Sequence, residues 1–173
     1  MKAYVRALVF GMVAVVLLAG CELLFYDPEG VWKVTEVEIG SSVTSLPQMT
    51  TKDVDGDGTR EDVLKEEYIR ISFLTVAYYE IYTLLEDSSD GGMYTKGEVV
   101  YTIRSENVSD LDKSMKRITF EDGREASYTF EDENLVLTVE EYLTDVLVEV
   151  SYTCEPSSTD ELDEALAGAT KIN

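Results

Sequence analysis

Residues 119–140, TFEDGREASYTFEDENLVLTVE, decide the fold class. Thr119-Phe120-Glu121-Asp122 recurs ten residues later as Thr129-Phe130-Glu131-Asp132, which is the spacing of one strand plus one turn, repeated. Asp122-Gly123 predicts a type I′ hairpin turn, and Glu133-Asn134 ends the next connection. Residues 135–140 and 146–153 read as two more strands, with a break near Leu143-Thr144-Asp145. Working back, residues 68–85 keep one parity: Ile69, Ile71, Phe73, Ala77, Tyr79, Ile81 and Leu85 share a face if the chain is extended. That is one long bent strand, or two strands with a tight turn near Leu74-Thr75. Residues 31–39 are rich in β-branched and aromatic side chains, residues 87–92 are a turn, 93–104 a strand and Ser105–Lys113 a loop. Residues 40–64 form a long polar segment, a length that in a compact domain often marks a lid or binding loop. Residues 158–167 suit a short helix, with Ser158 as cap and Glu161 completing a capping box. The expected fold is all-β: an up-and-down antiparallel meander of seven or eight strands, closed into a barrel that removes its exposed edges, with a short C-terminal helix.

Composition narrows the function. The chain has 173 residues, enough for one domain plus appendages, and folds without a metal or disulfide staple. It has no His, which excludes a Ser-His-Asp triad, a Cys-His pair and imidazole-ligated metals. Fourteen Lys and Arg against 35 Asp and Glu leave a net charge of −21, which argues against nucleic acid as a partner. No phosphate-cradling Gly-rich loop, G-x-S-x-G motif or Cys cluster is present, so the chain reads as non-enzymatic.

The N-terminus reads as an address. Residues 1–20 contain Lys2 and Arg6 and no acid, and Ala7–Ala19 are apolar or Gly. A basic start, a short apolar run and small residues at its end describe a secretory signal. The run is too short to span a bilayer, which takes about 20 residues. It ends in Leu18-Ala19-Gly20-Cys21, which resembles the lipobox of bacterial lipoproteins. The resemblance implies removal of residues 1–20, acylation of Cys21 and a lipid anchor on the non-cytoplasmic side of a membrane in the bacterial cell envelope. Residues 21–29 are then a lipidated tether, 30–157 the barrel and 158–173 the helix and tail. Acylation of Cys21 leaves Cys154 alone, without a disulfide partner and without a His to activate it.

Gly30-Val31-Trp32 opens the first strand, followed by a long loop, a meander and a C-terminal helix. This order is similar to lipocalins and bacterial lipocalin-like domains, which begin with Gly-x-Trp. The resemblance implies that Trp32 plugs the closed end of the barrel as a structural residue. The Arg that stacks on that Trp in the family has no counterpart, since no Arg follows Arg124.

Two constellations point to ligands. Asp53, Asp55, Asp57 and Glu61, with Gly58 at the sixth position of the run, look like a D-x-D-x-D-G calcium loop, in which alternate carboxylates converge on one ion. Leu64 stands where an EF-hand has its bidentate Glu, so the shorter loops of β-rich calcium proteins fit better. The alternative is a solvated acidic turn. Tyr78, Tyr79, Tyr82, Tyr94, Tyr101, Tyr128, Tyr142 and Tyr152 fall on expected strands and suit either a semi-polar cavity or ordinary core packing. Glu66-Glu67 and Glu140-Glu141 are neighbours on strands, so the two carboxylates of each pair point to opposite faces. Two functions follow. One is a membrane-anchored, lipocalin-like envelope protein that binds a small hydrophobic or semi-polar molecule or a partner. The other is an interaction lipoprotein whose barrel is filled and holds no small ligand. A cavity of a few hundred Å³ supports the first and a packed interior the second.

Overall fold

The computed structural model of the chain describes residues 27–54, 57–73, 77–87 and 99–172. Cys21 and Asp55 lie outside these residues. The barrel strands are β1 (Gly30–Ile39), β4 (Glu61–Ser72), β5 (Tyr78–Asp87), β6 (Val99–Asp112), β7 (Arg117–Phe120), β8 (Glu125–Glu131), β9 (Asn134–Leu143) and β10 (Val146–Ser157). They pair in chain order, all antiparallel, and close when Gly30–Lys33 of β1 meets Tyr68–Ile71 of β4. The meander is therefore an eight-stranded closed barrel. The end holding Gly30 and Ser157 is called proximal below; the end holding the β9–β10 turn is distal.

The 68–85 stretch is two strands, β4 and β5, in register with Ile69 opposite Ile81 and Ile71 opposite Tyr79. Those four residues point inward and are buried, with Phe73 and Ala77 packed against them. Leu85 shares their parity but sits at the distal end, against Val54, Val63 and Val100.

Three local expectations are corrected. The 40–64 segment is not one loop: it contains β2 (Ser42–Ser45) and β3 (Gln48–Lys52). β1 and β4 separate distally, where Glu36–Ile39 pairs with β2 and Glu61–Lys65 with β3. Leu46 anchors this excursion by entering the core, its N–H donating to Thr35 O at 2.8 Å. Ser105–Lys113 is not a loop either, since β6 continues to Asp112. Its polar side chains mostly meet solvent, while Val108 and Leu111 reach the core either side of a bulge. Finally, Asp122-Gly123 is not a type I′ turn. Only Gly123 has positive φ (87°), and its N–H donates to Phe120 O, the pattern of a type I turn followed by a left-handed Gly. The turn with two central residues at positive φ is Thr144-Asp145 (49° and 67°), between Leu143 and Val146.

Helix α1 (Thr159–Leu166) has the expected capping box, with Ser158 accepting from the Glu161 N–H and the Glu161 carboxylate accepting from the Ser158 N–H. Leu162 is fully buried on the outer face of the barrel, over Val31, Tyr68, Tyr82 and Leu84. β11 (Thr170–Lys171) then pairs in parallel with Val100 and Tyr101 of β6.

Candidate functional site

The proximal half of the interior is apolar and filled. Trp32 projects inward from β1 and its ring lies 5.9 Å from that of Phe130. Its indole N–H donates to Pro28 O at 2.9 Å, so the only polar atom of the side chain is satisfied. Gly30 has φ +142°, a conformation L side chains rarely adopt, which fits Gly just before this Trp. Around Trp32, residues Val34, Ile69, Ile71, Ile118, Phe120, Leu135 and Leu137 belong to one contiguous cluster that takes buried residues from all eight strands. An eight-stranded barrel is just wide enough for side chains to fill it, and this cluster occupies the proximal interior.

The distal half carries charge. On β9, Glu141 shares inward parity with Leu135, Leu137 and Val139, and its side chain is 4% exposed. Arg104 of β6 grips it with both terminal guanidinium nitrogens, Nη1 donating to Oε2 at 2.7 Å and Nη2 to Oε1. The Tyr152 hydroxyl donates to the same Oε1 at 2.8 Å. Burial lowers the Arg104 pKa, but the Glu141 hydrogen bonds and charge outweigh it, so the guanidinium is held firmly charged. Burial, reinforced by Glu141, pushes the Tyr152 hydroxyl up from its ordinary value.

A second pair lies beside the first: Arg124 donates to Glu106, to Asp122 at 2.6 Å and to the Glu140 carbonyl at 2.9 Å. These groups fill the side where β7 is short and where, among the described residues, Thr102–Glu106 of β6 pairs only with β5. Glu140 and Glu141 do point to opposite faces, Glu140 out and Glu141 in, but nothing in the sequence pairs Glu141 with Arg104. The signal was parity: Glu141 continues the apolar inward series of β9.

Residues expected to form sites are distributed as follows. Asp53, Asp57 and Glu61 use their carboxylates within their own loop, accepting from the N–H groups of Gly58 (3.1 Å), Thr59 (2.6 Å) and Val54 (2.9 Å) respectively. Among the described residues no three acidic side chains are grouped as metal ligands. Tyr79, Tyr128 and Tyr152 are inside the barrel, Tyr68, Tyr82 and Tyr101 are outside under α1, and Tyr142 is exposed; Tyr94 lies outside the described residues. The hydroxyls of Tyr79 and Tyr128 are buried without a hydrogen-bond partner among the described residues. Cys154 is buried in the core, and desolvation pushes its thiol up, away from a reactive thiolate. Glu66 and Glu67 diverge, the first to Lys33 outside and the second inward to Thr83 and Lys65.

The distal end has a further feature. β8 pairs with β9 only up to Val139, and β1 pairs with β10 only from Val150 onward. Past these points the β9–β10 hairpin continues as a two-stranded arm, with Glu141 and Val148 still packed at its base and residues 142–147 exposed. Its side chains Tyr142, Leu143, Val146 and Leu147 are exposed, Tyr142 and Val146 by about 60%. Between this arm and the end of β1 runs a groove of about 500 Å³, lined by Glu38, Ile39, Gly40, Val148, Glu149 and Ser151. No protein-family model, no curated protein and no solved structure matches the chain.

Proposed function

We propose that this chain is a lipid-anchored protein of the bacterial envelope, lipidated at Cys21, that acts by binding a macromolecular partner and not by catalysis. The observation that carries this reading is the filled interior. Among the described residues one buried cluster takes inward side chains from all eight strands, and the Arg104–Glu141–Tyr152 network lies distal to it, which favours recognition on the outside of the barrel over a ligand within it. The basic and apolar leader ending in Leu18-Ala19-Gly20-Cys21 supports the anchor, and the absence of His supports a non-catalytic role. With residues 22–29 as the tether, the proximal end faces the membrane and the distal end faces away.

Native mass spectrometry of the full-length chain extracted from its host tests the reading. The expected spectrum shows the lipidated polypeptide with no stoichiometric small molecule; a retained ligand restores the small-molecule reading. Cys21→Ser is expected to leave the membrane fraction, and a processed Cys21→Ser protein that stays membrane-bound refutes the anchor.

A further inference from the structure

We infer that the free edge of the β9–β10 arm is a docking site for an extended segment of a partner protein with alternating basic and apolar residues, added as a strand beside Val146–Glu149. The inference rests on the reading above only in taking the partner to be a macromolecule.

Three observations converge on this edge. First, the backbone is available. β10 is paired with β9 along Val146–Glu149, but among the described residues nothing pairs with its other side until Val150 meets Ile39. A row of unpaired N–H and C=O groups is a template for another chain, and native proteins usually blunt such an edge with Lys, Pro or a covering loop. Val146-Leu147-Val148-Glu149 contains neither Lys nor Pro.

Second, there is room. The groove of about 500 Å³ runs along this edge, beside the end of β1 and the first residues after it.

Third, the two faces differ in a way that specifies the occupant. Val146, Val148 and Ile39 have the inward parity and form an apolar rim at the mouth, Val148 packing on the core. Leu147, Glu149 and Glu38 have the opposite parity, and both acids are solvent-exposed, with no basic side chain lining the groove. A strand places successive side chains on opposite faces. An added strand thus sets one side-chain series against Val146, Val148 and Ile39, and the other against Glu38 and Glu149. The complement is apolar on one series and Lys or Arg on the other, with main-chain hydrogen bonds supplying affinity.

Charge also selects against the other occupants. A second copy brings another strongly acidic chain and another Glu38–Glu149 rim to the same edge, and anionic headgroups are repelled by that rim.

The test uses the full-length chain in neutral detergent and a labelled, end-blocked short peptide of alternating Lys and Val. Binding is followed by fluorescence anisotropy and the site by amide exchange. Expected results are rapid exchange, without peptide, of those amides in Val146–Glu149 that point away from β9, and their protection with it, confined to residues 38–40 and 142–149. Methylating the peptide's backbone nitrogens keeps its charge and removes its donors, and is expected to weaken binding about tenfold or more. Glu38→Lys/Glu149→Lys, at two exposed positions, is expected to weaken it comparably. Equal affinity for the methylated peptide, or protection scattered over the acidic surface, reduces the interaction to charge attraction and overturns the inference. Slow exchange of these amides without peptide, or a dimer held through them, overturns it as well. A small molecule retained in the barrel overturns the function proposed above and leaves this test unaffected.

Discussion

Removing Arg104 while leaving Glu141 in place strands a carboxylate inside the barrel. The Glu141 side chain is 4% exposed and its oxygens accept from Arg104 and Tyr152. Breaking a buried pair by deleting one partner costs about 3–5 kcal/mol. The Arg104 side chain is itself 43% exposed, so solvent screens that end, and the expectation for Arg104→Met falls to about 2–3 kcal/mol. Glu141→Leu leaves Arg104 with its weaker contact to Glu106 (3.7 Å) and the Tyr152 hydroxyl without an acceptor, a loss of about 1–3 kcal/mol. The triple variant Arg104→Met/Glu141→Leu/Tyr152→Phe removes every member together and replaces them with apolar groups of similar shape. Such replacements are often neutral or stabilising, so the triple is expected within about 1 kcal/mol of the parent, far below the sum of its parts. Trp32 is the sole Trp, which makes its fluorescence a clean probe of urea unfolding. A triple variant as unstable as the summed single variants refutes the idea that these residues act as one self-satisfied unit. So does an Arg104→Met protein that loses less than about 1 kcal/mol.

Trp32→Ala empties the proximal plug and is expected to cost about 3–5 kcal/mol, read by far-ultraviolet circular dichroism in urea; an unchanged midpoint removes Trp32 from the core argument. Stability is expected to fall in alkali. Burial raises the pKa of Cys154, Tyr79 and Tyr152 in the folded state, so their contribution is complete below the unfolded values, about 8.5 for Cys and 10 for Tyr, and is lost as pH rises beyond them. The slope is about 1.4 kcal/mol per pH unit per group, and Cys154→Ala should remove the earliest part of the decline; a flat profile to pH ~11 contradicts the burial of all three. Calcium binding at Asp53, Asp55, Asp57 and Glu61 requires a rise in melting temperature in millimolar calcium, absent in magnesium and lost in Asp55→Asn/Asp57→Asn. An identical melt in calcium and chelator leaves Asp53, Asp57 and Glu61 as acceptors for their own loop amides.

Local chemistry was legible where it acts alone. The repeated Thr-Phe-Glu-Asp spacing became β7, β8 and their turns, the single parity of 68–85 became β4 and β5, and Ser158 with Glu161 became a helix cap. What escaped depends on neighbours distant in the chain. Ser105–Lys113 reads as a polar loop because nothing in it shows that β5 and β7 pair with its residues up to Asp112. The β2–β3 excursion exists because β1 and β4 part company distally, a consequence of closure and not of residues 40–64. Glu141 looked like one of many acids until strand parity put it among Leu135, Leu137 and Val139, where only Arg104, far away on β6, makes its burial tolerable. Turn chemistry misled in a specific way: Asp122-Gly123 uses one left-handed residue, while two such residues stand at Thr144-Asp145, which has no Gly at all.

That last turn bears on what the distal end is for. Thr is β-branched, and at φ +49° it holds a conformation that such residues seldom adopt. It caps an arm whose apolar side chains contribute little to the core, since Tyr142, Val146 and Leu147 are exposed. Folding alone does not account for an exposed apolar ribbon on a chain otherwise rich in acid, because such a ribbon is an aggregation hazard. The filled barrel beneath it does supply a rigid mount. β10 runs from the arm at Val146 to Ser157, beside Val31, twelve residues in all. At a rise of about 3.3 Å per residue and a strand tilt of about 40°, that is roughly 30 Å along the barrel axis. If Cys21 carries the lipid anchor proposed above, a tether joined at the proximal end holds the arm several Debye lengths (about 8 Å each) from the bilayer charge. On that reading an edge there would meet partners without interference from headgroups, and its acidic flank would select basic ones. The barrel interior needs no ligand for this: its packing fixes the distance and direction of the strand edge at Val146–Glu149.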